Sequence, residues 1–153
     1  MVENQKNPTG SMKKYLIFCI VWIIACQPSP KDIQYHEDEC AFCRMKISDS
    51  KFGAELVTSK GKVYKYDAAE CMFRVLNEEK DQEYAYILVT DYAQPKTLIN
   101  AKEAYFLVSK NQPSPMGGNL SAYSDKSKAI QAQKSKEGDI YNYGQTLQLY
   151  EKM

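Results

Sequence analysis

Nitrogen ligands for a metal ion are scarce in this chain of 153 residues, which contains a single histidine, His36. A site built from several histidines of one chain is therefore excluded, and any metal site must rely mainly on sulfur. An excess of one charge is also absent, because 20 lysine and arginine residues nearly balance 19 aspartate and glutamate residues. Without a strongly basic surface, nucleic acid is not an expected partner.

The motifs of common hydrolytic and group-transfer enzymes are missing as well. The sequence shows no serine–histidine–acid set, no phosphate-binding loop and no pair of carboxylates that would form a cleft. Tryptophan occurs once, whereas tyrosine occurs 12 times. Many tyrosines on short strands are typical of a pleated sheet with one solvent-exposed face. The chain length suits one domain or two very small ones.

The N-terminus has the pattern of an export signal. A basic start at Met12 precedes an apolar run from Tyr15 to Ala25, which is shorter than the roughly 18 residues needed to cross a membrane. The run Ile23-Ile24-Ala25-Cys26 resembles a bacterial lipobox, so we predict that Cys26 is diacylated and becomes the first residue of the mature protein. An ordinary signal peptide or an uncleaved anchor is the alternative. We expect a bacterial membrane lipoprotein that faces the periplasm.

Removal of the signal and acylation of Cys26 would leave three thiols, on Cys40, Cys43 and Cys71. Three thiols in an oxidising compartment cannot all pair within one chain. At least one of them must therefore be free, bridged to a partner or bound to metal.

The stretch Cys40-Ala-Phe-Cys-Arg-Met45 places two thiols and a thioether within six residues. Thiolate and thioether together suit Cu(I), whereas hard cations prefer oxygen and Zn²⁺ prefers thiolate and imidazole. A second thioether, Met116, lies in the loop Gln112-Pro-Ser-Pro-Met-Gly-Gly118, away from any periodic apolar face. We predict that these two loops meet and hold one soft metal ion, with Cys40, Cys43, Met45 and Met116 as its ligands.

Each of these residues also has an ordinary structural interpretation. Cys40 and Cys43 could form half of a zinc site or a redox dithiol, although a redox dithiol usually opens a helix and these residues precede a predicted strand. Methionine commonly fills a hydrophobic core. Cys71 fits a buried inert thiol as well as a reserve ligand, and His36 could supply a nitrogen ligand if its loop folds back.

Hydrophobic patterning predicts the same order of elements in both halves of the chain. The first half has strands over 52–58, 62–66 and 84–90 and a helix up to about residue 79, capped by Asp67 with Glu70 as the capping-box partner. The second half has strands over 104–109, 120–123 and 140–143, a helix over 126–136 capped by Ser124 or Asp125, and a last helical turn over 147–150.

The sequence therefore predicts an α+β fold in which two small β-β-α-β repeats pack into one compact unit. Residues 1–25 are assigned to an upstream extension and the lipoprotein signal peptide, and residues 26–39 to a flexible tether. Residues 40–92 form the first unit with the sulfur-rich loop, and residues 93–153 form the second unit with the methionine loop. Residues 91–102 are predicted to connect the two halves.

Four segments of the chain together resemble the NosL family of bacterial lipoproteins, which are encoded with nitrous oxide reductase. They are Cys40-x-x-Cys43-x-Met45-x-Ile47, Phe52-Gly-Ala-Glu55, Lys62-Val-Tyr-Lys-Tyr-Asp-Ala-Ala-Glu-Cys-Met72 and Ser114-Pro-Met-Gly-Gly-Asn-Leu-Ser-Ala-Tyr123. The resemblance implies two homologous β-β-α-β units and a periplasmic Cu(I) chaperone that helps to build the copper centres of the reductase. It implies as partners the reductase, its maturation machinery and, through the lipid anchor, the membrane. The family usually has glycine where this chain has Arg44.

Two other functions are compatible with the same residues. A thiol–disulfide oxidoreductase would use Cys40 and Cys43 and would leave Met45 and Met116 without a role. A purely structural surface lipoprotein would use the sulfur atoms as a disulfide and as core filler. The favoured hypothesis is a Cu(I) carrier, a metal-binding accessory protein without catalytic turnover.

Overall fold

The computed structural model describes Met1 and residues 27–151. The signal peptide predicted before Cys26, and the acylation predicted at Cys26 itself, lie outside these residues. Within the part of the chain that is described, no helix combines the length and the apolar character that a membrane span requires.

The first half of the chain forms a four-stranded antiparallel sheet and one helix. Its elements are β1 (Ala54–Thr58), β2 (Val63–Tyr66), α1 (Ala69–Glu78), β3 (Tyr84–Thr90) and β4 (Leu98–Asn100), and the strand order is β2-β1-β3-β4. In the register of the sheet, Leu56 of β1 faces Tyr64 of β2 on one side and Ile87 of β3 on the other. Strand β4 lies in the segment that was predicted as a connection. The prediction missed this strand because three residues are too few to show an alternating pattern.

The second half repeats this order with a smaller sheet. Its elements are β5 (Tyr105–Val108), β6 (Leu120–Tyr123), α2 (Lys126–Lys136), β7 (Asp139–Asn142) and α3 (Tyr143–Glu151), and the strand order is β6-β5-β7 with antiparallel pairing. The predicted α+β class, with two β-β-α-β repeats packed together, is confirmed. Helix α3 is longer than the single turn that was predicted.

The predicted capping box at the start of α1 is wrong. The N-cap residue is Ala68, and no side chain caps this helix. The buried carboxylate of Asp67 instead accepts a hydrogen bond from the Ser48 backbone N–H at 3.4 Å, and Glu70 accepts one from the Ser114 hydroxyl. Both acidic side chains bind loops that are distant in sequence, which a local pattern cannot reveal. At α2 the prediction holds, because the Asp125 carboxylate accepts the Lys128 N–H at 2.9 Å.

The two halves share one hydrophobic core around the ring of Phe73 on α1. This fully buried ring lies 5.3 Å from Phe106 of β5, 5.7 Å from Tyr143 and 6.0 Å from Tyr150 of α3, measured between ring centroids. Aromatic rings in contact at such distances contribute both buried area and favourable ring–ring interactions. The second half of the chain is thereby packed directly against the helix of the first.

The tether predicted over 26–39 joins the folded unit before it reaches the cysteines. The Lys31 N–H donates to the buried Glu55 carboxylate at 3.0 Å, and the Ile33 side chain is buried in the core. The Lys65 ammonium group forms a salt bridge of 2.6 Å with Asp38. The segment that leads into the sulfur-rich loop is therefore fixed on the first sheet from residue 31 onwards.

Candidate metal centre

The sulfur-rich loop is a tight hairpin. Glu39 and Lys46 pair as an isolated antiparallel bridge at its base. Inside the loop, the Cys40 N–H donates to the Met45 carbonyl at 2.8 Å, and the Arg44 N–H donates to the Cys40 carbonyl at 3.0 Å. These backbone bonds bend the chain so that both cysteine side chains of the loop turn to the same side.

Arg44 occupies a backbone conformation that favours glycine. Its φ is 65°, in the left-handed region, where a side chain crowds the backbone. This is the position at which the NosL pattern usually has glycine, so the hairpin keeps its conformation in spite of the substitution. The conformation costs free energy that the surrounding hydrogen bonds must offset.

The Arg44→Gly variant is therefore expected to be more stable than the parent protein by about 0.5–1 kcal/mol. The gain is the relief of left-handed strain, less the larger entropy that glycine loses on folding. Urea denaturation of the apoprotein measures it. Lys46→Gly serves as a control because the φ of Lys46 is not positive, and it is expected to destabilise. An Arg44→Gly protein less stable than the parent would contradict the assignment of strain.

Three thiols meet beneath this hairpin. The sulfur atoms of Cys40, Cys43 and Cys71 all lie within 4.8 Å of one another, with Cys40 and Cys71 buried and Cys43 half-buried. Cys71 comes from the first turn of α1, and the Ala41 N–H fixes the hairpin to the Lys65 carbonyl of β2 at 2.8 Å. Within residues 27–151, this is the group of His, Cys, Asp or Glu side chains with the geometry to hold a metal ion.

Cys71 is the member of this group that the sequence left undecided. It lies 28 positions after Cys43, and neither its spacing nor its neighbours follow a ligand motif. The available signal was its place in the first turn of a helix that follows directly on a strand. A residue in this position lies close to the end of β2, and the Cys40 hairpin is hydrogen-bonded to the same strand.

Hydrogen bonds favour a thiolate on Cys40. The Cys71 thiol donates to the Cys40 sulfur, as do the backbone N–H groups of Cys43, Asp67 and Phe42, and together they lower the pKa of Cys40 to about 5 in spite of burial. The hydrogen bond to Cys40, together with burial, raises the pKa of Cys71. Burial raises the pKa of Cys43. The order of the pKa values therefore places the first negative charge of the cluster on Cys40, with Cys43 and Cys71 protonated.

These protonation states predict how Cu(I) affinity depends on pH. Binding through all three sulfurs must release the protons of Cys43 and Cys71, so the logarithm of the affinity should rise with a slope of about 2 between about pH 6 and pH 8. A site that uses Cys43 with thioethers, and neither Cys40 nor Cys71, should show a slope of about 1. Competition with a chelator of known proton affinity measures the slope. An affinity that does not change with pH would exclude both ligand sets.

The remaining predicted ligands lie in different surroundings. Met45 is 49% exposed, whereas Met116 is half-buried and packs against the core. His36 is exposed, its backbone N–H donates to the Ile47 carbonyl at 2.7 Å, and it does not belong to the group of three thiols. The ligand set of Cys40, Cys43, Met45 and Met116 stays a prediction.

The loop that carries Met116 is attached to the same end of α1 as Cys71. The Ser114 hydroxyl donates to the carboxylate of Glu70, the residue before Cys71, and the Leu120 N–H reaches the same oxygen at 3.4 Å. The two sulfur-bearing loops thus both contact the beginning of α1. The hairpin does so through Cys71, and the Met116 loop does so through Glu70.

The arrangement of the thiols does not suit a thiol–disulfide oxidoreductase. Such an enzyme needs an accessible thiolate of low pKa to attack its substrate. Here the thiol with the lowered pKa, Cys40, is fully buried, and the more accessible Cys43 has a raised pKa. The geometry instead offers two buried sulfurs and one half-buried sulfur to a single soft ion.

Comparisons with known proteins agree on one family. The family model of NosL matches residues 31–148. A crystal structure of the copper chaperone NosL from Shewanella denitrificans is similar to this chain with a TM-score of 0.67 and 24% sequence identity, over 76% of this chain and 93% of that chain. A match at this identity shows a shared fold. Among curated proteins no significant match was found.

Proposed function

The chain belongs to the NosL family, and from this premise we propose that it is a membrane-anchored extracytoplasmic carrier of Cu(I). In this proposal the carrier delivers copper for the maturation of nitrous oxide reductase. Copper is the cargo, and no bond of a substrate is made or broken. The crystallised relative from Shewanella denitrificans is described as a copper chaperone.

The observation that carries the proposal is the group formed by Cys40, Cys43 and Cys71. Three sulfur ligands within 4.8 Å of one another match the preference of Cu(I) for soft donors and low coordination numbers. A structural zinc site needs four ligands, and among the described residues no fourth His, Cys, Asp or Glu joins these three. Mg²⁺ and Ca²⁺ require oxygen ligands.

The exposure of the sulfurs supports a carrier rather than a permanent metal site. Cys40 and Cys71 are buried, whereas Cys43 is half-buried and Met45, two residues later, is exposed. A partner's sulfur can approach from the side of Cys43 and Met45 and share the ion before the buried thiols release it. Thioether ligands from Met45 and Met116 would keep the affinity low enough for such an exchange.

The site of action follows from the N-terminal pattern. The predicted acylation of Cys26 would hold the protein at a bacterial membrane, facing the periplasm. The four residues 27–30 would separate the acylated Cys26 from Lys31, where the chain joins the first sheet. We propose nitrous oxide reductase and its maturation machinery as the partners that receive the ion at this surface.

An anaerobic titration with Cu(I) in competition with a chelator tests the proposal. We expect one Cu(I) per chain, with X-ray absorption showing only sulfur neighbours. The loaded protein should then pass Cu(I) to copper-free nitrous oxide reductase faster than the chelator complex does. Binding no tighter than that of the urea-unfolded chain would refute the carrier function, and tight binding without transfer would refute the proposed client.

A further inference from the structure

Glu70 is a buried carboxylate that links two segments far apart in the sequence. Its side chain is 2% exposed and lies in the first turn of α1. One of its oxygens accepts hydrogen bonds from the Ser114 hydroxyl and, at 3.4 Å, from the Leu120 N–H. Ser114 and Leu120 stand at the two ends of the loop that contains Met116, so a single carboxylate holds both ends of this loop.

Ser114 also determines the shape of the loop from within. Its hydroxyl oxygen accepts the Asn119 N–H at 2.8 Å, and its carbonyl accepts the Gly117 N–H at 3.0 Å. Both Gly117, with φ 74°, and Asn119, with φ 58°, adopt the left-handed conformation that such a compact loop requires. The hydroxyl of Ser114 therefore connects the folding of the loop to its attachment on Glu70.

The loop is packed closely against α1 and α3 at Gly118. A Cβ atom at this position would lie 2.6 Å from the Tyr150 hydroxyl oxygen and 2.8 Å from Cγ of Glu70. Contacts of this length leave no room for a side chain, so the backbone of the loop rests directly on Glu70. The loop that presents Met116 is consequently held in one position relative to α1.

Glu70 also lowers the stability of the folded state. Its second carboxylate oxygen is buried without a hydrogen-bond partner, one of two such side-chain atoms among the described residues. A buried polar atom without a partner destabilises the folded state by about 1–3 kcal/mol. An apolar side chain would fill the same space without this cost, but it could not bind Ser114 and Leu120.

We propose that Glu70 and Ser114 are positioning residues of the metal site: their hydrogen bond holds the Met116 loop beside the group of Cys40, Cys43 and Cys71, so that the Met116 thioether joins the thiols on Cu(I). Neither residue touches the ion, and both act through Met116. The inference rests on the proposed function, because it concerns how that site is completed.

A double-mutant cycle with Met116 tests this coupling. Ser114→Ala removes the hydroxyl and is expected to lower Cu(I) affinity about tenfold, the usual lower bound for residues that orient a metal ligand. In a Met116→Leu background, where the ligand is already lost, Ser114→Ala should leave the affinity unchanged within about twofold. Ser114→Thr retains the hydroxyl and should restore the affinity of the parent protein.

Ser121→Ala is a matched control. Ser121 is also buried, and its hydroxyl donates to the Leu107 carbonyl at 3.3 Å and accepts from Gln112 instead of bonding to Glu70. We expect this variant to lose stability, as Ser114→Ala does, but to keep the Cu(I) affinity of the parent. Equal losses of affinity in both serine variants would assign the effect to general destabilisation and would overturn the positioning role.

Hydrogen exchange in the unaltered chain gives a second measurement that does not depend on the folding of a variant. The Asn119 amide should be protected at least about tenfold relative to an unstructured peptide before any metal is added. An unprotected amide would overturn the proposal, since the loop would not be held.

If the parent binds no Cu(I), the proposed function and this inference both fail. If the parent binds Cu(I) but Ser114→Ala changes the Cu(I) affinity equally in the parent and in the Met116→Leu background, only the inference fails.

Discussion

The Cys43→Ser and Met116→Leu double variant is expected to lose Cu(I) affinity by at least about 1,000-fold, or about 4 kcal/mol. Cys43 is the accessible sulfur of the three-thiol group, and serine offers a hard oxygen that Cu(I) binds poorly. Met116 would supply the thioether from the opposite loop. Anaerobic competition titrations of the variant and the parent protein measure the loss. Equal affinities would place the site elsewhere.

Two controls separate loss of ligands from loss of structure. Met72→Leu makes the same replacement as Met116→Leu at a fully buried core position of α1, where it should cost less than about 1.5 kcal/mol of stability and leave Cu(I) binding intact. Cys71→Ala shows whether the inner thiol is a ligand. A loss of affinity of at least about tenfold would assign it to the site, and an unchanged affinity would restrict the ligands to the two loops.

The Phe73→Ala variant is expected to destabilise the protein by about 4 kcal/mol, because it leaves a cavity where three aromatic rings meet. Phe73 lies on α1, and its partners belong to the second half, so the substitution should destabilise both halves. Urea unfolding followed by circular dichroism and tyrosine fluorescence measures the change. Both probes should report one coincident transition, since the halves share this core.

Ile130→Ala is the control for this prediction. Ile130 lies on α2, is 36% exposed and should change the stability by no more than about 0.5 kcal/mol when it is truncated. Two separate transitions in the parent protein would contradict the shared core. A Phe73→Ala protein as stable as Ile130→Ala would show that the ring cluster contributes little.

Local patterns predicted most of the regular elements. Strands β3 and β6 have the predicted bounds, and α2 begins after Asp125, one of the two predicted caps. Periodicity was less successful for the faces of α2. Ala129 and Ile130 both stand at helical spacing, yet Ala129 is buried and Ile130 is exposed. Amphipathic spacing identifies a helix more reliably than it identifies its buried residues.

The short spacing between Cys40 and Cys43 allows a bent backbone to turn both thiols towards one point. The repeated β-β-α-β order likewise follows from periodicities of two and 3.6 residues. These features depend on neighbours along the chain, and they could be derived from the order of the amino acids.

The approach of Cys71 to the hairpin, the attachment of the Met116 loop to Glu70 and the pairing of β4 depend on where distant segments pack. Asp67 and Glu70 illustrate the reason. Each has the local pattern of a helix cap, yet each forms a hydrogen bond to a loop at least 19 positions away. Burial makes such long-range bonds worth more than an exposed cap, and the path of the folded chain selects the partner that is within reach.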